Sequence, residues 1–158
     1  MNDSADRFTK FATQAVHAGK EEAGSDVKSS AIPIYQTASY LFGDTDRAQR
    51  LFALEEEGDI YSRISNPTNA VFEERLSALE GGVGSVVTSS GMSALNLIVF
   101  TLMENGENLV TSSNIYGGTH TYFTHSIAKY GMEARFTGDD SPESFAEKID
   151  DETRFLHL

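Results

Sequence analysis

From Gly84 onward the chain alternates short β-prone runs with helical stretches, and this order restricts its fold more than any other feature. Ser85-Val86-Val87-Thr88 is followed by a helical run over 92–103, then by Asn108-Leu109-Val110-Thr111 and a second helical run over 119–129. A β-prone run at 132–137, a helix at 142–149 and Arg154-Phe155-Leu156-His157-Leu158 complete the pattern. The order βαβαβαβ with connections of this length rules out hairpins and requires parallel pairing through right-handed crossovers, giving an α/β fold with a mostly parallel open sheet covered by helices. Ligands of such sheets bind outside the carboxyl ends of the strands. The final run is expected to bury Phe155, Leu156 and Leu158 with no helix after it, so the sheet is expected to be incomplete within this chain.

Upstream of Gly84 the pattern differs. Residues 1–43 show no sustained helical period, but Ile32-Pro33-Ile34-Tyr35-Gln36-Thr37 and Ser39-Tyr40-Leu41-Phe42 are apolar bursts between polar stretches. They describe an extended N-terminal arm over 1–45, which must lie on the rest of the chain or wrap a partner subunit, and the reading favours a partner. Residues 46–158 then form a partial α/β domain. Thr45 or Asp46 can cap a helix running to Gly58, whose Glu55-Glu56-Glu57 sits at the unfavourable end of the helix dipole, so that this end is expected to fray or to be answered by a cation. The next helix is signed at both ends, with Asn66 as cap, Pro67 in the first turn, Phe72, Leu76 and Leu79 on one face, and Gly81-Gly82 as terminator.

Charge decides which partners are worth considering. Twelve Lys and Arg against 24 Asp and Glu leave a net charge of −12, which repels nucleic acid and anionic membranes. An anionic cofactor would then need local donors, such as a helix amino terminus and one or two placed cations. The chain has no cysteine, which removes disulfides and thiolate chemistry and suits a cytoplasmic protein. Residues 1–10 are polar and the apolar run 94–103 is too short for a bilayer span, so no signal peptide or membrane segment is expected.

Three segments could carry chemistry. Thr88-Ser89-Ser90-Gly91-Met92-Ser93-Ala94 opens into a helix directly after the first β-prone run. Its free backbone N–H groups and positive dipole end can cradle a phosphate, with Gly91 allowing close approach, though the same residues would also serve as a capped turn without a ligand. In an extended segment Tyr61 and Arg63, two residues apart, would set a phenol and a permanent planar cation on the same side, suited to a phosphate dianion, although taken alone the pair reads first as a surface arginine and a packing tyrosine. Tyr116-Gly117-Gly118-Thr119 follows the second strand, where an aromatic ring can stack on a heterocycle or merely cover a turn. Gly81-Gly82-Val83-Gly84 precedes a strand instead of following one and lacks the third glycine of a dinucleotide loop. His17, His120, His125 and His157 show no metal-ligand spacing, and no nucleophile elbow is present.

Taken together, Val16-His17-Ala18-Gly19, Ile32 to Thr37, Tyr61 to Thr68, Leu79-Glu80-Gly81-Gly82, Ser89 to Ala94 and Tyr116 to Thr119 resemble, in order and spacing, the Cys/Met-metabolism enzymes. That family has the aspartate-aminotransferase-like fold (fold type I) and uses pyridoxal 5'-phosphate. The resemblance implies that Ser90, Gly91 and Met92 bind the cofactor phosphate and that Tyr116 stacks on its ring and assists proton transfer. It implies that Tyr61 and Arg63 reach the phosphate of a neighbouring subunit's cofactor, hence a homo-oligomer, commonly a dimer of dimers. Leu51-Phe52-Ala53-Leu54-Glu55-Glu56 and glycine at Gly118 resemble the O-acetylhomoserine sulfhydrylase branch, whereas the methionine-lyase branch often carries cysteine at that position. The implied reaction is γ-replacement on O-acetyl-L-homoserine by sulfide or methanethiol, giving homocysteine or methionine. Alternatives are the cystathionine γ-synthase, O-succinylhomoserine sulfhydrylase and methionine γ-lyase reactions. The family's cofactor-bearing lysine has no counterpart among Lys10, Lys20, Lys28, Lys129 and Lys148. The chain is therefore expected to be the amino-terminal part of a longer enzyme and inactive alone, or else a noncatalytic assembly module.

Overall fold

The computed structural model describes residues 10–20 and 29–158; the parts of the expected arm at 1–9 and 21–28, with Lys28, lie outside them. The chain divides into two compact units, Met1–Val87 and Thr88–Leu158.

Among the described residues the first element is a helix, α1 (Phe11–His17), where an extended arm was expected. No glycine or proline interrupts that run, and His17 stands in the last turn, where the dipole favours positive charge. After α1 the chain lies against α3 (Pro67–Glu80). Gly19, at φ +78°, comes so close that a Cβ there would stand 2.5 Å from the Val71 carbonyl oxygen. Arg75 Nε donates to the Ala18 carbonyl at 3.0 Å. The close approach accounts for the glycine in Val16-His17-Ala18-Gly19.

Residues 31–42 run largely extended, as expected, and their backbone is bonded to their own chain. Thr68 Oγ1 accepts the Tyr35 N–H at 2.9 Å, Asn66 Nδ2 donates to the Tyr35 carbonyl at 2.9 Å, and Ser39 bridges Tyr61 in antiparallel fashion. Ile34 and Leu41 nevertheless remain exposed.

Helix α2 (Thr45–Phe52) is capped by Asp44, one residue before the expected caps, and ends well before Gly58. Leu54 turns the chain at φ +59°, and Glu56 folds back onto Arg47 at 2.8 Å and Arg50 at 3.0 Å. The acidic stretch thus leaves the helix and finds its cations outside the unfavourable dipole end. Helix α3 begins and ends as its local signals require: Asn66 Oδ1 accepts the Thr68 N–H at 2.9 Å, Pro67 follows, and Gly81 closes at φ +67°. Its face does not follow the apolar stripe. Phe72 and Leu76 are exposed, while Val71 and Ser77 are buried, because α1 and Gly19 dock over Val71. Residues 85–88 form no strand. Glu73 takes their polar groups instead, accepting from Ser85 Oγ at its carbonyl (2.5 Å) and from the Val87 N–H at its carboxylate (2.8 Å).

The second unit contains the parallel sheet. Helix α4 (Gly91–Leu102) leads to β1 (Asn108–Thr111). The next crossover is α5 (Gly117–Thr121), continued by a π turn over Tyr122–Ser126 and a 3-10 turn over Ile127–Tyr130, instead of one regular helix. Strand β2 (Glu133–Phe136), α6 (Pro142–Ala146) and β3 (Thr153–His157) follow. The order is β2-β1-β3, all parallel, with β1 central and buried along its length. Val99, Met103, Leu109, Phe123, Ile127 and Met132 form the core. On β3, Phe155 is partly buried against this core, but Leu156 and Leu158 are exposed, contrary to the expectation. As an edge strand of this sheet, β3 turns alternate residues inward, and Leu156 falls on the outer set.

Buried Asn108 ties the amino ends of the strands together. Its Nδ2 donates to Asp150 at 2.9 Å, and its Oδ1 accepts from Thr153 Oγ1 at 2.8 Å. Arg135 adds an ion pair to Asp150 at 2.6 Å. The Asn108 hydrogen bond and the Arg135 guanidinium hold the Asp150 carboxyl well below the usual carboxylate range.

Candidate functional site

The carboxyl end of the sheet in the second unit opens on a pocket of about 510 Å³. One wall is the start of α4, with Ser90, Gly91 and Met92; Tyr116 and Thr119 come from the turn into α5, and His157 from the end of β3. Four of the six predicted site residues, Ser90, Gly91, Met92 and Tyr116, therefore share one cavity. Tyr61 and Arg63 belong to the first unit.

At the start of α4, Ser90 is the cap: its Oγ accepts the Ser93 N–H at 3.1 Å and lies 2.9 Å from Ser93 Oγ. The Ala94 N–H is taken by the Ser90 carbonyl at 3.0 Å. The N–H groups of Gly91 and Met92 precede the first turn's acceptors and have no partner within the helix. In front of Gly91 the space is open, and a Cβ there would meet nothing within 4 Å. Two adjacent free N–H groups, the dipole of a 12-residue helix and open space suit a phosphate. The pocket wall contains no lysine, arginine or carboxylate, so the helix terminus is its main source of positive potential.

Tyr116 is 74% exposed and stands at the cap position of α5. Its ring lies back over Gly118, where a Cβ would come within 2.5 Å of Tyr116 Cε1. The phenol hydroxyl has no hydrogen-bond partner among the described residues and is available to a ligand. A flat, exposed ring sharing a pocket with the open start of a helix is an arrangement that fits pyridoxal 5'-phosphate.

Thr119, in the segment singled out after β1, and His157, weighed in the sequence only as a metal ligand, also line the pocket. His157 Nδ1 lies 3.1 Å from Thr111 Oγ1, and Phe123 meets the imidazole edge-on at 5.2 Å between centroids. Burial pushes its pKa below the ordinary imidazole value. The rule that ligands gather at strand carboxyl ends would have found it, since it is the last residue of β3.

In the first unit, Tyr61 to Ser65 form a turn, the Tyr61 carbonyl accepting from the Ile64 and Ser65 N–H groups at 2.8 and 3.0 Å. The extended geometry expected for Tyr61 and Arg63 is absent, yet the two still meet: Arg63 Cζ lies 5.7 Å from the Tyr61 ring centroid. Arg47, Arg50, Arg135 and Arg154 pair with carboxylates and Arg75 bonds a carbonyl. Among the described arginines, Arg63 alone has neither kind of partner. No group of three or more His, Asp or Glu could hold a metal, and no helix is long and apolar enough to cross a membrane, among the described residues.

The chain is 45% identical over 148 residues to homocysteine/cysteine synthase of Kluyveromyces lactis, covering 94% of this chain and 33% of that protein. It is 43% identical to O-acetyl-L-homoserine sulfhydrylase of Leptospira meyeri, covering 98% of this chain and 35% of the relative. A crystal structure described as an O-acetylhomoserine (thiol)-lyase of Campylobacter jejuni, with pyridoxyl-lysine-5'-monophosphate, superposes with a TM-score of 0.84 at 37% identity. That match covers 96% of this chain and 37% of the solved one. The chain thus spans about a third of the length of the curated relatives it matches. Residues 12–158 match the model of the Cys/Met metabolism PLP-dependent enzymes, and the chain belongs to that family.

Proposed function

We propose that this chain contributes the phosphate-binding and ring-stacking parts of a pyridoxal 5'-phosphate site to an enzyme that replaces the γ-acetoxy group of O-acetyl-L-homoserine with sulfide or methanethiol. The observation that carries this reading is the single pocket joining Ser90, Gly91 and Met92 to Tyr116. The Gly91 and Met92 N–H groups hold the phosphate, and Ser90 keeps the helix start open by capping it. Tyr116 lies against the cofactor ring, and its unpartnered hydroxyl moves a proton near the departing group. When bound, the cofactor supplies an electron sink for charge formed on the amino acid carbon. No described lysine lines the pocket, so the cofactor-bearing lysine is proposed to come from elsewhere.

The names of the relatives support the acetyl ester as substrate, with homocysteine as the sulfide product. Arg63 and Tyr61 are proposed to serve the phosphate of a neighbouring subunit's cofactor in a homo-oligomer, a dimer of dimers. The availability of Arg63 and the lack of any cation in the pocket wall support this role. Residues 1–45 are read as the arm and 46–158 as the partial cofactor-binding domain, working in the cytoplasm, a setting the cysteine-free chain suits.

Pyridoxine 5'-phosphate tests the site without condensing with surface lysines, because it has no aldehyde. Titration followed by phosphorus NMR should show binding to the chain. Gly91→Pro should abolish it, because proline is tolerated in the first helical turn but removes the N–H donor. Equal binding by both proteins, or none by the parent, defeats the assignment. For the reaction, preference for O-succinyl over O-acetyl-L-homoserine in the cofactor-loaded enzyme would move the reading to the succinyl branch.

A further inference from the structure

We propose that His157 is a ligand-binding residue of this pocket, accepting a directed hydrogen bond at Nε2 from a phosphorylated aromatic heterocycle whose phosphate sits at the start of α4. This rests on the cofactor reading above and adds to it a contact from the sheet.

The geometry carries the case. His157 is held on two sides, by Thr111 Oγ1 at Nδ1 and by the edge-on ring of Phe123. Thr111 and His157 are register partners on β1 and β3, so the frame that fixes the imidazole is the sheet itself. Thr111 is fully buried. Its hydroxyl lies 3.1 Å from His157 Nδ1 and 3.3 Å from the Ser112 carbonyl. The Thr111 hydroxyl donates to the Ser112 carbonyl and accepts from Nδ1–H, an arrangement that satisfies both contacts and leaves Nε2 as a neutral acceptor. Nε2 has no hydrogen-bond partner among the described residues, although the ring is half-buried and lines the cavity.

The groups around the ring keep it neutral. Thr111 from β1 and Phe123 from the crossover carry no charge, and the only other titratable group in the pocket wall is Tyr116. With no carboxylate to stabilise an imidazolium, burial favours the neutral ring at neutral pH. A neutral acceptor suits a hydroxyl or ring N–H on a heterocycle and adds no cation to a wall that has none.

The chain labelled with nitrogen-15 at histidine is titrated with pyridoxine 5'-phosphate and, separately, with inorganic phosphate. Phosphorus NMR reports the phosphate, and long-range proton–nitrogen spectra report the two His157 nitrogens. The expected result is a shift at His157 Nε2 with pyridoxine 5'-phosphate but not with inorganic phosphate. His157→Phe, which keeps the ring against Phe123, should bind pyridoxine 5'-phosphate about tenfold more weakly, as loss of one hydrogen bond predicts, and inorganic phosphate equally well. Binding of pyridoxine 5'-phosphate with an unmoved Nε2 and an unchanged His157→Phe affinity overturns the inference and leaves the cofactor reading standing. If neither compound binds, the cofactor reading falls and this inference falls with it. The nitrogen spectra of the unsubstituted chain decide the question even if the variant folds poorly.

Discussion

The two units of the chain are stabilised in different ways. In Thr88–Leu158 a central strand is fully buried and Val99, Leu109, Phe123 and Ile127 close around it, so apolar burial organises the unit. In Met1–Val87 the buried apolar residues are Ala18, Leu51, Pro67 and Val71 among those described. There, side chains hold the backbone: Asn66, Thr68 and Arg75 reach segments 31 to 57 residues away along the chain. The pocket stands on the unit with the packed frame, as a site that must hold geometry requires. Tyr61 and Arg63 stand on the unit held by polar tethers, with their functional atoms exposed.

Truncating the frame gives the largest expected effect. Phe123 is 1% exposed in the core, and Phe123→Ala should cost about 3–5 kcal/mol. Phe72→Ala on the exposed side of α3 should stay within about 0.5 kcal/mol. Urea denaturation of both variants measures the contrast. Equal losses would mean that Phe72 is buried in the protein as it exists in solution and that the first unit also rests on apolar packing.

Asn66→Ala tests the polar tethers and comes next. Asn66 caps α3, bonds the Tyr35 carbonyl and bonds Ser62 Oγ at 3.0 Å, and it is buried. Removal of the cap and of a donor to a carbonyl should cost about 2 kcal/mol. Hydrogen exchange should accelerate at the Tyr35 and Thr68 amides while β1 stays protected. Faster exchange in β1 would contradict the division of labour drawn here.

The same contrast governs what could be read in the sequence. Helix α3 was legible because Asn66, Pro67 and Gly81 act within a few residues of where they stand. The start of α4 was legible for the same reason, and with it Ser90, Gly91 and Met92. A strand needs a partner, and no local pattern could reveal that Glu73 would take the polar groups of Ser85 and Val87. His157 was not read as a pocket residue because its role depends on register with Thr111, 46 residues away. The stripe of Phe72, Leu76 and Leu79 misled because Gly19 and α1 chose the buried side of α3 through Val71.

Acid should affect the second unit in two stages. His157 has a lowered pKa, so between the ordinary imidazole value of about 6.5 and its folded value the unfolded chain binds more protons, and stability falls as pH falls. Asp150 is held low by Asn108 and Arg135, and Asp139 is lowered to about 2, chiefly by the Ser141 and Ser144 hydroxyls. Their contribution is intact above the unfolded carboxylate value of about 4 and is lost as pH drops through the folded values. Unfolding midpoints measured from pH 7.5 downward should therefore decline in two steps. His157→Phe should remove the upper step and Asp150→Asn should flatten the lower one. A midpoint that His157→Phe leaves unchanged in shape would show that the imidazole is solvated.

A small effect is expected at Arg63. Its guanidinium lies over the Tyr61 ring on an exposed turn, and it makes no ion pair or hydrogen bond with the described residues. An exposed cation–π contact contributes about 0.5–1 kcal/mol, so Arg63→Ala should lower stability by no more than that. Arg47→Ala makes a useful comparison, because Arg47 holds Glu56 and bonds the Phe42 carbonyl at 3.4 Å. Both variants change one surface charge, but only the second removes contacts that shape the fold after α2. If Arg63→Ala destabilises more than Arg47→Ala, Arg63 is structural and unavailable to a neighbouring subunit's phosphate. If it leaves stability nearly unchanged, the cation is held in reserve, the condition its proposed role requires.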